Sequence, residues 1–179
     1  SSSIERLMVV KDLFVFSCYT GISYVDIVQL NEDNIVMGID GSPWIMAKRV
    51  KTGAPFKIPL LPKAAILIDK YKDHYRTNDT SNLLPRLSNQ KLNSYLKEIA
   101  DLCGIKKNLT FHMARHTFAT TVTLANGVPI ETVSRLLGHT KLATTQIYAQ
   151  VLEHKVSEDM QHLKTKSTKS TLSTTLKIQ

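Results

Sequence analysis

The chain has 179 residues, 42% of them hydrophobic, enough for one substantial core and too little for a second full domain. Its formal charge of +8 favours a polyanionic partner, nucleic acid or an acidic membrane surface, against the plainer reading that the charge only keeps the protein in solution. No apolar run is of membrane-spanning length and the first residues lack a secretion-signal pattern, so the expectation is a soluble, intracellular protein with no membrane partner.

Residues 4–19 carry apolar positions at Leu7, Val10, Leu13, Phe14 and Phe16, which predicts a largely buried helix ending near Gly21. Cys18 lies in this stretch and Cys103 in a later one. Two cysteines so placed support neither a disulfide framework nor a thiolate metal site, and both read as packing residues. Ser23-Tyr-Val-Asp26 has the spacing of a capping box, with Asp in place of Glu, before a short helix through Leu30.

From Asn31 to Leu60 the pattern changes to short β-prone runs at 34–37, 44–50 and 56–60. Turns at Asp40-Gly-Ser-Pro and Thr52-Gly-Ala-Pro separate them, which predicts a small antiparallel sheet. Helical periodicity returns from Pro62 to Tyr75 and from Asn89 to Cys103, flanking a polar loop at Arg76 to Ser81, with Gly104 as C-cap.

Thr110 is placed to cap a helix reaching Ala125 and ended by Asn126-Gly127. Pro129 suits the first turn of the next helix, which Gly138 closes. Tyr148 falls on a further helix after Leu142. A last helical stretch, Val151 to Leu163, precedes a Ser/Thr/Lys-rich tail over 164–179 that is expected to be mobile. From Lys155 onward five lysines face Glu158 and Asp159, so the body of the chain remains basic without its tail.

Chemistry concentrates between His112 and Tyr148. On the helix after Thr110, Phe111, Ala114, Phe118 and Val122 should face the core, leaving His112, Arg115 and His116 on the other side. A guanidinium grips two phosphate oxygens in a fork, and an imidazole beside it donates a hydrogen bond or moves a proton. His112 and His116 have the spacing of a zinc-protease helix, but Met113 stands where the general-base glutamate belongs, so no metal is expected and His116 reads as buried and structurally bonded. Taken singly, His139 is a helix-end imidazole bonded to terminal carbonyls and Tyr148 an interfacial aromatic. Taken together with Arg115, they supply what a tyrosine needs to attack phosphate: cationic surroundings for the phenolate, or a base for its proton.

A leaving 5′ oxygen also needs a proton, and Lys51, at the turn in Lys48-Arg49-Val50-Lys51-Thr52-Gly53, is the candidate general acid. Strand alternation predicts that Arg49 points the same way as Lys51 and adds a second guanidinium, against the alternative of a solvated basic hairpin.

These residues resemble the tyrosine recombinase, or phage-type integrase, family. The motifs are His112-x-x-Arg115-His116-Thr-Phe-Ala-Thr120, Leu136-Leu137-Gly138-His139 and Tyr148, with Phe16-Ser-Cys-Tyr-Thr-Gly21 through Leu30 similar to the first catalytic box and Lys51 with Ile58-Pro-Leu60 similar to the lysine hairpin. The resemblance spans residues 7–160. It implies a mainly helical α+β fold, the DNA breaking-rejoining catalytic core, a helical bundle with a small antiparallel sheet, over residues 1–163.

By the same resemblance, Tyr148 attacks the scissile phosphate to give a 3′-phosphotyrosyl link. Arg115, His112 and His139 contact the phosphate, His112 also moves protons, and Lys51 protonates the leaving oxygen. Neither ATP, a metal nor any other cofactor is implied. The implied partners are double-stranded DNA and further copies of the chain in a tetramer, with Val151 to Leu163 as the exchange element. An N-terminal DNA-clamping domain usual in the family is not in this sequence, and the chain alone is expected to be monomeric.

There is one departure. The family usually has an arginine after Thr-Gly-hydrophobic in the first box, and here the position is Ser23. Arg49 is the expected replacement, a substitution similar to that in integrases of conjugative and mobilisable elements of Bacteroides-type bacteria. The rival readings are a type IB topoisomerase, a non-catalytic DNA-binding factor that kept the fold, and a metal-dependent nuclease, which lacks an acidic cluster to support it.

Overall fold

The computed structural model describes residues 2–74, 81–149 and 160. The chain opens with α1 (Ser2–Thr20), whose Val9, Val10, Leu13 and Phe16 are completely buried. Each such side chain contributes about 1.5–3 kcal/mol of burial free energy, which explains why this helix is the central strut. It packs on α3 (Pro62–Tyr71), α4 (Asn89–Leu102) and α5 (His112–Thr117). Helix α1 stops at Gly21, whose N–H bonds the Ser17 carbonyl at 2.8 Å. Its φ of +66° suits glycine, and a Cβ there would lie 2.4 Å from the Phe118 ring. The turn that ends α1 is thus pressed against the element that follows α5.

A single turn of helix, α2 (Tyr24–Ile27), leads to a three-stranded antiparallel sheet in the order β1 (Ile35–Met37), β2 (Pro43–Lys48), β3 (Pro55–Pro59). Ile35 pairs with Ile45 and Ile45 with Ile58. Along β3, Phe56 and Ile58 are buried while Lys57 between them is exposed, the period-two pattern of a sheet with one wet face. In α4, Ser88 accepts the Lys91 N–H at 3.3 Å as N-cap, and Leu92, Leu96 and Ala100 bury one stripe. These elements form the larger core. A smaller one gathers Phe118, Ala119, Leu124, Val133, Leu137 and Tyr148, drawn from the stretch after α5, from α6 (Ile130–Leu137) and from α7 (Ala143–Ala149).

Several expectations are corrected. The helix predicted from Thr110 to Ala125 is α-helical only over α5, widens to π-type bonding at Phe118–Thr123 and tightens to a 3-10 turn at Leu124–Asn126. The Thr123 hydroxyl bonds the Phe118 and Ala119 carbonyls at 3.0 and 2.8 Å, satisfying groups that the altered register would leave open. Helix α3 ends at Tyr71, and Tyr75 lies outside the described residues. Cys103 is exposed and is no packing residue, unlike the buried Cys18. The loop residues 76–80, the Val151 to Leu163 stretch apart from Met160, and the tail over 164–179 fall outside the described residues.

Candidate active site

Arg115 lies at the centre. It projects from α5 toward two helix ends, donating to the Gly21 carbonyl beyond α1 at 2.6 Å and to the Leu137 carbonyl at the end of α6. Carbonyls at a helix C-terminus have no partner within the helix and carry its partial negative charge, so they are natural seats for a guanidinium. Burial first, and then the neighbouring Arg49, bring the Arg115 pKa down to about 10. It is still cationic at neutral pH.

Arg49 reaches the same helix end. Its guanidinium donates to the Leu136 and Leu137 carbonyls at 3.1 and 3.0 Å, and to Asp26 Oδ2 at 3.0 Å. It lies 4.0 Å from the Phe56 ring centroid and is only 7% exposed. Gly138 makes this possible: a Cβ there would meet Arg49 Nε at 3.0 Å, and its φ of +66° is the left-handed conformation that closes α6. Burial lowers the Arg49 pKa, and the Asp26 carboxylate opposes that shift. The alternative of a solvated basic hairpin therefore does not hold for Arg49, which is buried, and two guanidiniums share one helix terminus.

Asp26 was read from the sequence only as part of a capping box, and the structure gives it another task. It is 4% exposed, accepts Arg49, the Val50 N–H at 2.8 Å and the Ser23 hydroxyl at 2.6 Å, and therefore fixes the start of the turn that carries Lys51. Ser23 does occupy the N-cap position of α2, but its hydroxyl donates to the carboxylate and caps no backbone N–H. The signal was present in the sequence as a lone carboxylate on a one-turn helix. Nothing local told which cation it would meet.

Lys51 is exposed on the turn after β2, which ends at Lys48, so turn geometry and not strand alternation places it. The turn is closed by Arg49 N–H to the Ala54 carbonyl and Gly53 N–H to the Arg49 carbonyl, both 2.8 Å. Lys51, Arg49, Asp26, His112 and Arg115 line one open cavity of about 360 Å³. Partial burial, together with the charges of His116, Arg115 and Lys51, lowers the His112 pKa below the ordinary histidine value.

His139 and Tyr148 are not among the residues that line this cavity, and His139 lies against Arg115. His139 Nε2 is 3.2 Å from the Arg115 guanidinium and its Nδ1 is 2.9 Å from the Thr145 hydroxyl, so its partners are side chains and not the terminal carbonyls expected of a helix-end imidazole. Burial first, then the two arginines, push its pKa down to about 4. Tyr148 is 5% exposed, with its ring stacked near His139 at 6.4 Å and edge-on to His116 at 5.1 Å. Burial raises the Tyr148 pKa and Arg115 opposes this without overcoming it, so the phenol is protonated at neutral pH. Cationic surroundings alone do not make the phenolate, which leaves the need for a base.

His116, expected to be buried and hydrogen-bonded, is half-buried. It lies between two rings, 4.9 Å from His112 and 5.1 Å from Tyr148. Among the described residues no three His, Cys, Asp or Glu side chains are grouped to hold a metal ion, and no described helix is long and apolar enough to cross a membrane.

The chain is similar to proteins of known function and structure. The chain is 37% identical over 103 residues to the tyrosine recombinase XerC of Listeria monocytogenes serotype 4a, a match covering 57% of this chain and 34% of that protein. A crystal structure of XerA recombinase superposes with a TM-score of 0.67 at 26% identity, covering 90% of this chain and 59% of the other. The Tn1549 transposon integrase, solved in complex with transposon right end DNA, shares the fold at a TM-score of 0.58 and 14% identity, over 82% of this chain and 59% of that one. The chain spans about a third of the length of the XerC it matches. With residues 5–155 matching the family's pattern, the chain belongs to the phage integrase family.

Proposed function

We propose that this chain is the catalytic domain, residues 1–163, of a site-specific DNA recombinase of the tyrosine type, acting in the integration or excision of a mobile element. The observation that carries the reading is the convergence of Arg49, Lys51, His112 and Arg115 on one cavity, with His139 against Arg115 and Tyr148 stacked on His139. These side chains come from elements far apart in sequence, and together they hold a phosphate, a nucleophile, bases and an acid. The phenol oxygen of Tyr148 attacks the scissile phosphorus, and the bond to the 5′ oxygen breaks. The phenol proton goes to a neutral imidazole, His112 or His139, and the ammonium of Lys51 gives one to the departing oxygen. Arg115 and Arg49 stabilise the charge that grows on the non-bridging oxygens, more in the transition state than before it. Rejoining runs the same steps in reverse with a 5′ hydroxyl from another strand. No step calls for ATP or a divalent ion. Double-stranded DNA is the partner, and further copies of the chain complete a tetramer through the Val151 to Leu163 segment.

Incubation with a nicked suicide duplex in the presence of chelator tests the chemistry. A covalent protein–DNA adduct is expected from the parent and none from Tyr148→Phe. An adduct that survives in Tyr148→Phe, or cleavage that needs added magnesium, refutes it. Exchange of strands between two duplexes separates a recombinase from a topoisomerase.

A further inference from the structure

The Thr145 hydroxyl is a buried polar group that the proposed chemistry does not use. Thr145 is completely buried on α7, and its Oγ1 lies 2.9 Å from Nδ1 of His139. A guanidinium has only donors, so at the 3.2 Å contact between Arg115 and His139 the ring nitrogen Nε2 must be the one with the free lone pair. The proton of the neutral ring is then on Nδ1 and is donated to Thr145 Oγ1. Tyr148 lies three residues further along the same helix, on the neighbouring face. One hydrogen bond therefore sets which imidazole nitrogen faces the site and pins the helix that carries the nucleophile.

We infer that Thr145 is a positioning residue of the strand-cleavage reaction, fixing His139 as the Nδ1–H tautomer with Nε2 open as a base and anchoring α7 so that Tyr148 stays beside it. This rests on the proposed reading of the site as a tyrosine recombinase centre. When a phosphate draws the Arg115 guanidinium, the freed Nε2 lone pair takes the proton of the Tyr148 phenol. The O–H bond breaks, an Nε2–H bond forms, and the imidazolium then donates that hydrogen to a phosphate oxygen. Rejoining returns the proton to the phenol. With the other tautomer, Nε2 already carries hydrogen and no base is offered on that side. The Nδ1 partner thus does for His139 what an orienting group does in any hydrogen-bonded pair of nucleophile and base.

The test compares Thr145→Val, which keeps the shape and removes the hydroxyl, with Thr145→Ser, which keeps the hydroxyl. The probe is a pool of nicked duplexes of randomised sequence, and three quantities are read: the rate of covalent adduct formation against pH, the thermal melt, and the His139 tautomer by nitrogen NMR of labelled histidine. Thr145→Val is expected to melt close to the parent and to form adduct at least about tenfold more slowly, short of the roughly ten-thousandfold lost where a carboxylate sets the tautomer. Its His139 signals should move from the Nδ1–H pattern toward a mixture, with Thr145→Ser restoring both rate and pattern. Adduct formation by folded Thr145→Val at the parent rate, a failure of Thr145→Ser to rescue, or a parent His139 in the Nε2–H form would overturn the inference. If Thr145→Val does not fold, Thr145→Ser and the parent spectrum still decide. Absence of adduct from the parent itself refutes the reading of the site, whereas the tautomer remains measurable without DNA.

Discussion

Removing the Arg49 side chain separates its structural from its chemical contribution. Arg49→Ala takes the ion-pair partner from the Asp26 carboxylate, which is 4% exposed. Breaking a buried ion pair from one side costs about 3–5 kcal/mol, because the remaining charge is desolvated and unmatched. Asp26 keeps two of its donors, the Val50 N–H at 2.8 Å and the Ser23 hydroxyl at 2.6 Å, which places the loss at the low end, about 3 kcal/mol. The guanidinium packed 4.0 Å over Phe56 adds about 0.5–1 kcal/mol. Urea unfolding of the parent and the variant reads this term. The chemical term is read separately, by single-turnover adduct formation under conditions where both proteins are folded. Loss of one preorganised donor to the developing charge lowers the rate by about 10²–10³. Ser23→Arg in the Arg49→Ala background should restore part of both, since it sets a guanidinium where the family usually has one and next to the Asp26 carboxylate. Folded Arg49→Ala that forms adduct as fast as the parent would refute the placement of Arg49 on the phosphate, and would reduce it to a structural counter-ion of Asp26.

Two other outcomes are expected. The folded pKa of His139, about 4, lies below the ordinary histidine value, so between the two the unfolded chain binds more protons than the folded one. This contribution to stability is complete above about pH 6.5 and is lost as pH falls toward 4, and melting of the parent over that window should fall more steeply than melting of His139→Gln; parallel curves would contradict it. Lys51→Ala should slow cleavage by about 10²–10⁴, the range for a lost proton donor. A substrate whose 5′ leaving atom is sulfur departs as a thiolate and needs no proton, so it should remove most of that defect. An equal defect with both substrates would deny Lys51 the role of general acid.

Much of this centre was legible along the chain. His112 and Arg115 on α5, His139 just past the end of α6 and Tyr148 on α7 occur in one stretch of the chain, and the Gly138 stop is a local signal that the structure follows, whereas Pro129 is the N-cap of α6 and not part of its first turn. The sheet was legible too, from turn residues and short β-prone runs. Less local features were not. Asp26 looked like a capping residue because capping spacing is a property of four consecutive residues, whereas its partner Arg49 is 23 positions away. His116 read as buried and bonded once a metal role was set aside, but its burial depends on what α7 lays against it, and that is the Tyr148 ring. Arg49 and Lys51 were expected on one face through strand alternation. They do line one cavity, but the strand ends at Lys48 and the turn does the work.

The sequence by itself determined which chemical groups are available and which secondary structures carry most of them, because propensity, capping and turn geometry act over a few residues, although the helix expected to reach Ala125 changes its bonding after Thr117. Tertiary structure alone decided their electrostatic state. Two arginines share the carbonyl end of α6, burial holds the Tyr148 phenol protonated and the His139 ring neutral, and a threonine hydroxyl selects the tautomer of that ring. Desolvation and hydrogen bonding depend on atoms brought together across the fold, and no stretch of the chain records them.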